Sequence, residues 1–333
     1  MKYTFSLLII LLVSCSFNQN ANRMVSNFGY AQGTSYSIKY MVNDEIDYHN
    51  QIDSLFLVID ASLSTYLSSS LISRLNKGDT GLLLDTHFVN VFNTSQQVSS
   101  RTKGLFDCTI APLVNAWGFG VEAATDEIDS INIQKIVNQI GYENLSLQGD
   151  SLLSNPKGMT IDFNALAQGY TVDVIASFLE QRNITDFMIE VGGEIRVSGL
   201  NSRGKNWIIG IDKPNKDIDQ SDRFQLKINL TNKSLATSGN YRKFYEKNNK
   251  IYSHTINPKT GFPVQHSLMS ASVVADDCIS ADAYATAFMV MGVKETKAFL
   301  KSDTTLQAFL IYTNQDKQWE TWSTEGFERM ILR

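Results

Sequence analysis

Apolar positions along the chain follow two periods. The segment "TSYSIKYMV" (Thr34–Val42) places an apolar side chain at alternate positions, which predicts a strand with one buried face. From about Glu45 to Leu63, Ile46, Ile52, Leu55, Phe56, Ile59 and Leu63 recur at helical spacing. "STYLSSSLISRLN" then breaks into a Ser-rich loop and a short turn. Further helical patterns cover residues 82–100, 131–140 and 165–181. Strand-like runs cover 186–197, 207–211, 224–230, 251–256, 268–275 and 306–312, and "RMILR" is predicted as a closing strand. Strands dominate the second half and short polar turns join them. The expected fold class is therefore α+β with largely antiparallel sheets packed with helices, not a doubly wound parallel sheet.

One predicted helix carries an anomaly. "ISADAYATAFMVMG" (Ile279–Gly292) reads as an almost wholly buried helix, yet Asp282 and Thr286 lie within it, one turn apart on one face. An ionised carboxylate is costly to bury without a partner. Either the two side chains satisfy each other and nearby backbone, or they face a cation.

Composition narrows the field. With 333 residues, 43% hydrophobic and 19% charged, the chain is a folded globular protein able to bury a substantial core. Its net charge of −5 and the absence of any Lys/Arg run argue against nucleic acid. An anionic ligand would have to be held by backbone amides or through a metal ion. The opening "MKYTFSLLIILLVSC" has a Lys followed by an apolar run, Phe5 to Val13, too short to span a bilayer but suited to a signal peptide. Leu12-Val13-Ser14-Cys15 resembles a bacterial lipoprotein cleavage box. Residues 1–15 are expected to be a lipoprotein signal peptide with Cys15 lipidated, 16–27 a polar tether, and 28–333 the folded domain. The chain is expected to be exported, lipid-anchored and facing the periplasm. Cys108 and Cys278 read as buried small side chains rather than a disulfide framework.

Small-residue-rich stretches supply the candidate chemistry: "FDCTIAPLVNAWGFG" (Phe106–Gly120), "IDFNALAQGYTVDVI" (Ile161–Ile175), "IEVGGEIRVSG" (Ile189–Gly199), and the apparently polar turns "LATSGNYR" (Leu235–Arg242) and "HTINPKTGFP" (His254–Pro263). Singly, each has a structural explanation: Asn164 as a helix cap, Gly192-Gly193 as a bulge, "NPKTG" as a turn. In this order, over nearly the whole mature chain, they resemble the ApbE family, the FAD:protein FMN transferases. The most specific matches are "TY…SLISRLN", "FDCTIAPLVNAWGFG", "DFNALAQGYTVD" and "SADAYATAFMVMG".

The resemblance implies a Mg²⁺ ion held by Asp282, Thr286 and a backbone carbonyl placed at Ala165, a hard-oxygen set that suits Mg²⁺ alongside phosphate oxygens. It implies FAD as substrate, contacted by Tyr66, Leu105, Phe106, Asp107, Gln168, Gly192, Gly193, Ser238 and His254, with Asp107 a polar anchor. The implied reaction moves FMN from FAD to a Ser/Thr hydroxyl of an exported acceptor protein, such as a subunit of a membrane redox pump, and releases AMP. His254 is the first candidate for general base and Asp282 the rival. The alternatives are a Mg²⁺-dependent FAD pyrophosphatase and a non-catalytic flavin-binding lipoprotein. Four positions depart from the family pattern: Gln32, where an apolar flavin contact is expected to become polar, Gln168, Asn257 and Lys259.

Overall fold

The computed structural model describes residues 23–43, 45–120, 130–148, 151–152, 159–214, 222–240, 244–247 and 250–333. Cys15, the expected leader and residues 16–22 of the expected tether lie outside the described residues. Among the described residues, no helix is long and apolar enough to cross a membrane.

The strands are β1 (Arg23–Ala31), β2 (Thr34–Val42), β3 (Leu147–Gln148), β4 (Ser151–Leu152), β5 (Phe187–Val191), β6 (Glu194–Ser198) and β7 (Trp207–Asp212). They continue with β8 (Phe224–Leu230), β9 (Lys233–Gly239), β10 (Phe244–Lys247), β11 (Lys250–Ser253), β12 (Leu268–Ala275), β13 (Gln307–Thr313) and β14 (Trp319–Ser323). The helices are α1 (His49–Leu63), α2 (Leu71–Asn76), α3 (Thr86–Arg101), α4 (Ala111–Ala116), α5 (Ser130–Val137), α6 (Ala167–Glu180), α7 (Cys278–Ser302) and α8 (Glu325–Glu328).

Among the described residues, eight strands form one antiparallel sheet in the order β1-β2-β5-β6-β9-β12-β13-β14. The expected α+β class is the observed one. Side chains alternate across the sheet, and each face buries a different core. Ala236, Ala271, Val273 and Leu310 pack on the helical side, chiefly against α7. Their neighbours Leu235, Val274, Phe309 and Ile311 face the other way, onto the β7–β8 ribbon and Phe327 of α8. Small residues in β9 and β12 let α7 lie close to the sheet, and this brings the helix with Asp282 and Thr286 to the middle of the molecule.

Several expectations need correction. Residues 23–27, read as tether from their polar composition, are the start of β1. Asn27 is buried there and donates to Asp47 at 2.8 Å, so its polarity serves a packed position. "LATSGNYR" is not a turn at its start, because Leu235–Gly239 lie in β9 at the centre of the sheet. Ala236 packs under α7, while Thr237, on the opposite face, shares a hydrogen bond with Ser272 at 2.8 Å across the ladder. "RMILR" forms only a bridge, Ile331 to Ile228. Residues 159–163, which lead toward α6, join no ladder: Asn76 brackets Ile161 with two 2.8 Å side-chain bonds, and Asp162 donates its N–H to the Cys108 carbonyl at 2.8 Å. Gly192-Gly193 is a two-residue hairpin turn between β5 and β6 with φ of +70° and +115°. Two successive positive φ angles favour glycine. Cys108 and Cys278 are buried free thiols, as expected.

The start of α7 is held from outside the helix. Asp277 caps it through Ser280 N–H at 2.8 Å. Asp173 of α6 accepts the N–H groups of Cys278 (2.8 Å) and Ile279 (2.9 Å) and pairs with Arg196 of β6 at 2.7 Å. A carboxylate at a helix N-terminus satisfies orphan donors and favours the dipole. Truncating Asp173→Ala should lower stability by about 3 kcal/mol in urea denaturation, since a half-buried guanidinium and two helix N–H groups lose their partner.

Candidate active site

Two cavities meet in the middle of the fold. One is a cleft of about 680 Å³ beneath the β5–β6 turn and beside β7, bordered by Thr34, Gln168, Gly192, Gly193 and Thr237. The other is a chamber of about 320 Å³ between the helices and the 254–258 loop, bordered by Tyr66, Leu105, Phe106, Phe119, Ala165 and Thr286. Ser238 and His254 line both, so they stand at the junction. The structure thus brings together nearly all the residues expected at the site. Tyr66 lies at the chamber and is 75% exposed as a residue, an aromatic side chain accessible to a ligand. His254 presents its ring edgewise to Phe119, with centroids 6.4 Å apart. Gly193 has open space where a Cβ would project.

Two expectations change in detail. Asp107 borders the chamber, but both its oxygens are engaged inside the protein. Oδ1 accepts from Thr109 N–H and Oγ1 at 2.8 and 2.6 Å, and Oδ2 from Tyr142 N–H at 3.1 Å. Burial pushes its carboxyl above the usual range despite these bonds. It ties the 107–109 loop to residue 142 and contributes wall, not a spare acceptor. Gln32 does not line either cavity: its amide donates to Asp60 (3.2 Å) and Thr171 (3.0 Å), away from the cleft. Asn257 organises its own turn by accepting Lys259 N–H at 2.9 Å.

The chemistry concentrates where α6 meets α7. Gly169 is the third residue of α6 after the N-cap Leu166, so its N–H is one of the donors a helix start leaves without an intrahelical partner. Here it donates to Asp282 Oδ2 at 3.1 Å. Among the described residues, nothing donates to the Ala165 carbonyl and no hydrogen bond engages the Thr286 hydroxyl. Both groups border the chamber. Asp282 is joined to this corner twice, by one helical turn to Thr286 and by its bond to Gly169. Burial pushes its carboxyl well above the usual carboxylate range, and nearby Glu194, itself buried, pushes the same way; the Gly169 N–H only partly opposes them. Among the described residues no Lys or Arg pairs with Asp282, and no three His, Cys, Asp or Glu side chains cluster as metal ligands. One carboxylate, one hydroxyl and one carbonyl fit a divalent hard cation that keeps waters and takes phosphate oxygens, not an all-protein cage.

Two residues of this corner escaped the sequence reading. Gly169 has no room for a side chain, because a Cβ would lie 2.5 Å from the Cys278 carbonyl oxygen and 2.9 Å from Asp282 Cβ. An isolated glycine inside a helical pattern was the available signal. Glu194, beside the paired glycines, carried no signal distinguishing it from a surface carboxylate.

Fold and site together define a class: an α+β protein with a two-lobed ligand pocket, one lobe apolar and ring-lined, the other open, and an oxygen-rich corner between helices. The ApbE family model matches residues 32–310, and the chain belongs to the ApbE family. The FAD:protein FMN transferase of Vibrio cholerae is 31% identical over 334 residues, covering 98% of this chain and 97% of that protein. That of Haemophilus influenzae is 31% identical over 340 residues, covering 97% and 96%. The solved structure of the flavin transferase ApbE from Vibrio cholerae superposes with a TM-score of 0.82 at 31% identity, covering 93% of this chain and 99% of that one.

Two outcomes follow from the corner. Gly169→Ala should destabilise the fold by about 1–3 kcal/mol in thermal or urea unfolding, since α7 must shift to admit the methyl group. For Asp282 the native carboxyl titrates above its unfolded value, so between the two values the folded state holds the extra proton. Stability of the metal-free protein should therefore fall as pH rises through that window. Asp282→Asn should remove this slope and raise the melting temperature at neutral pH, measured by calorimetry in chelator.

Proposed function

We propose that the chain is a Mg²⁺-dependent FAD:protein FMN transferase, exported and anchored to the bacterial membrane by lipid on Cys15, where it faces the periplasm. The observation that carries this reading is the corner formed by Asp282, Thr286 and the Ala165 carbonyl. It supplies unsatisfied hard oxygens beside a pocket with room for both halves of a dinucleotide. The names of the similar proteins support the substrate, and the leader pattern at Leu12–Cys15 supports export.

When bound at this corner, Mg²⁺ would neutralise pyrophosphate charge in a chain of net charge −5. The protein's own groups do the rest. Tyr66, Leu105 and Phe106 offer the apolar surface for the planar ring, and Gln168 and the Gly192-Gly193 turn border the nucleotide on the cleft side. His254, at the junction of the lobes, accepts the proton of an incoming Ser or Thr hydroxyl. The hydroxyl oxygen bonds to the FMN-side phosphorus of FAD, that phosphorus loses its bond to the bridging oxygen of the pyrophosphate, and AMP departs carrying the bridging oxygen. The acceptor is another exported protein bearing a Ser/Thr motif, in keeping with a membrane redox-pump subunit.

Incubating the protein with FAD, Mg²⁺ and an acceptor domain should yield AMP and covalently fluorescent acceptor. AMP with free FMN would instead mark a pyrophosphatase, and neither product a simple binder. Asp282→Ala should abolish AMP release, and His254→Ala should lower kcat by about a hundredfold or more. Normal turnover of FAD by Asp282→Ala would overturn the metal assignment.

A further inference from the structure

Strand β7 is covered on one side only. Among the described residues its ladder is with β8 alone, from Trp207↔Leu230 to Asp212↔Phe224. The far side of β8 is occupied by the chain's last residues, through Asn229 N–H to Met330 O and Leu332 N–H to Lys227 O. Among the described residues, no strand lies against β7 on its other side. Its alternate residues Trp207, Ile209 and Ile211 are buried against the sheet, while Ile208 is 55% exposed. A cavity over one surface of a strand touches every second residue. The large cleft touches consecutive ones, Ile208 through Asp212, so its border is the strand's backbone edge. The opposite wall is the outer face of the sheet at Ser35, Met188 and Glu190, and the cleft runs on to Ser238 and His254.

We propose that this edge is the docking site of the acceptor polypeptide. An extended segment adds as a third strand to β7–β8, and its Ser or Thr arrives at the Ser238–His254 junction. The inference rests on the transfer reading above and names its partner's conformation. An open strand edge offers N–H and C=O groups in a row, which pair with any extended chain and ask little of its sequence. The six residues of β7 give about 20 Å of contact. Ile208 provides an apolar side chain beside the incoming strand, and the bidentate Asp212–Arg223 pair (2.8 and 2.9 Å) stands at the end remote from Trp207. An edge of this kind selects acceptors by local unfolding or loop extension, not by a folded surface.

The test is hydrogen–deuterium exchange on the full chain in detergent micelles, with FAD and Mg²⁺ alone, and then with a synthetic ten-residue acceptor peptide carrying a central Thr. At peptide concentrations ten times half-saturation, exchange at residues 207–212 should slow about tenfold, and FAD alone should leave it unchanged. In turnover, Ile208→Pro should raise the peptide KM about tenfold, through loss of edge hydrogen bonding and strand geometry, without altering FAD affinity. Ile208→Ser, which keeps the backbone, should raise it about threefold. Protection of β7 by FAD alone would give the edge to the nucleotide and end the proposal. Unprotected β7 with bound or flavinylated peptide would end it too, as would an unchanged KM in both variants. The exchange readout needs no turnover: absence of AMP would count against the transfer reading, while AMP release with unprotected β7 would count against docking alone.

Discussion

The contact on which the site depends is the approach of α6 to α7 at Gly169. With no side chain there, the Cys278 carbonyl and Asp282 come close enough for the Gly169 N–H, an orphan donor of the first turn of α6, to serve Asp282. That bond holds the carboxylate in place. Ala165 precedes the N-cap Leu166, so its carbonyl takes no part in the helical ladder, and it borders the same chamber as Thr286. Glu194 makes an uncompensated negative charge in this region still less favourable. The proposed cation resolves that frustration, and the proposed substrate supplies the remaining oxygens.

The sheet explains how the rest of the site reaches this corner. One face is covered by helices and carries the buried acid chemistry: Glu194 and Arg196 point toward α6 and α7. The other face is covered by the β7–β8 ribbon and α8, leaving a cleft where the ribbon stops short of β2 and β5. Ser238 lies one residue before the end of the central strand β9, just where these compartments join. The proposed dinucleotide substrate and the proposed extended acceptor would require access from different directions, which a sheet with unequal cover on its two faces allows.

Much of this was legible in the residues, for particular reasons. Helical spacing and the terminal glycine delimited Ile279–Gly292 well: α7 begins at Cys278 and its regular path breaks at Gly292, where φ is +75°. Strand alternation placed β2 and β8 within a residue or so. Composition misled where polar residues are buried. Asn27 looked like linker, and Thr237 and Ser238 looked like a turn, because nothing local reveals that a polar stretch will form a central strand of the sheet. Gln32 looked like a flavin contact until Asp60 and Thr171 claimed its amide. The site residues clustered largely as expected from their motifs. Gly169 and Glu194 were missed because their roles are set by a neighbour more than a hundred residues away for one, and nearly ninety for the other, and tertiary approach has no local signature.

The central claim, that the α6–α7 contact creates a divalent-cation site, is tested most directly by anomalous diffraction from crystals soaked in Mn²⁺ and FAD. The account predicts one anomalous peak within about 2.5 Å of Asp282, the Thr286 hydroxyl and the Ala165 carbonyl, with pyrophosphate oxygens completing the shell. A peak elsewhere, or FAD bound with Asp282 facing only protein atoms, would contradict it.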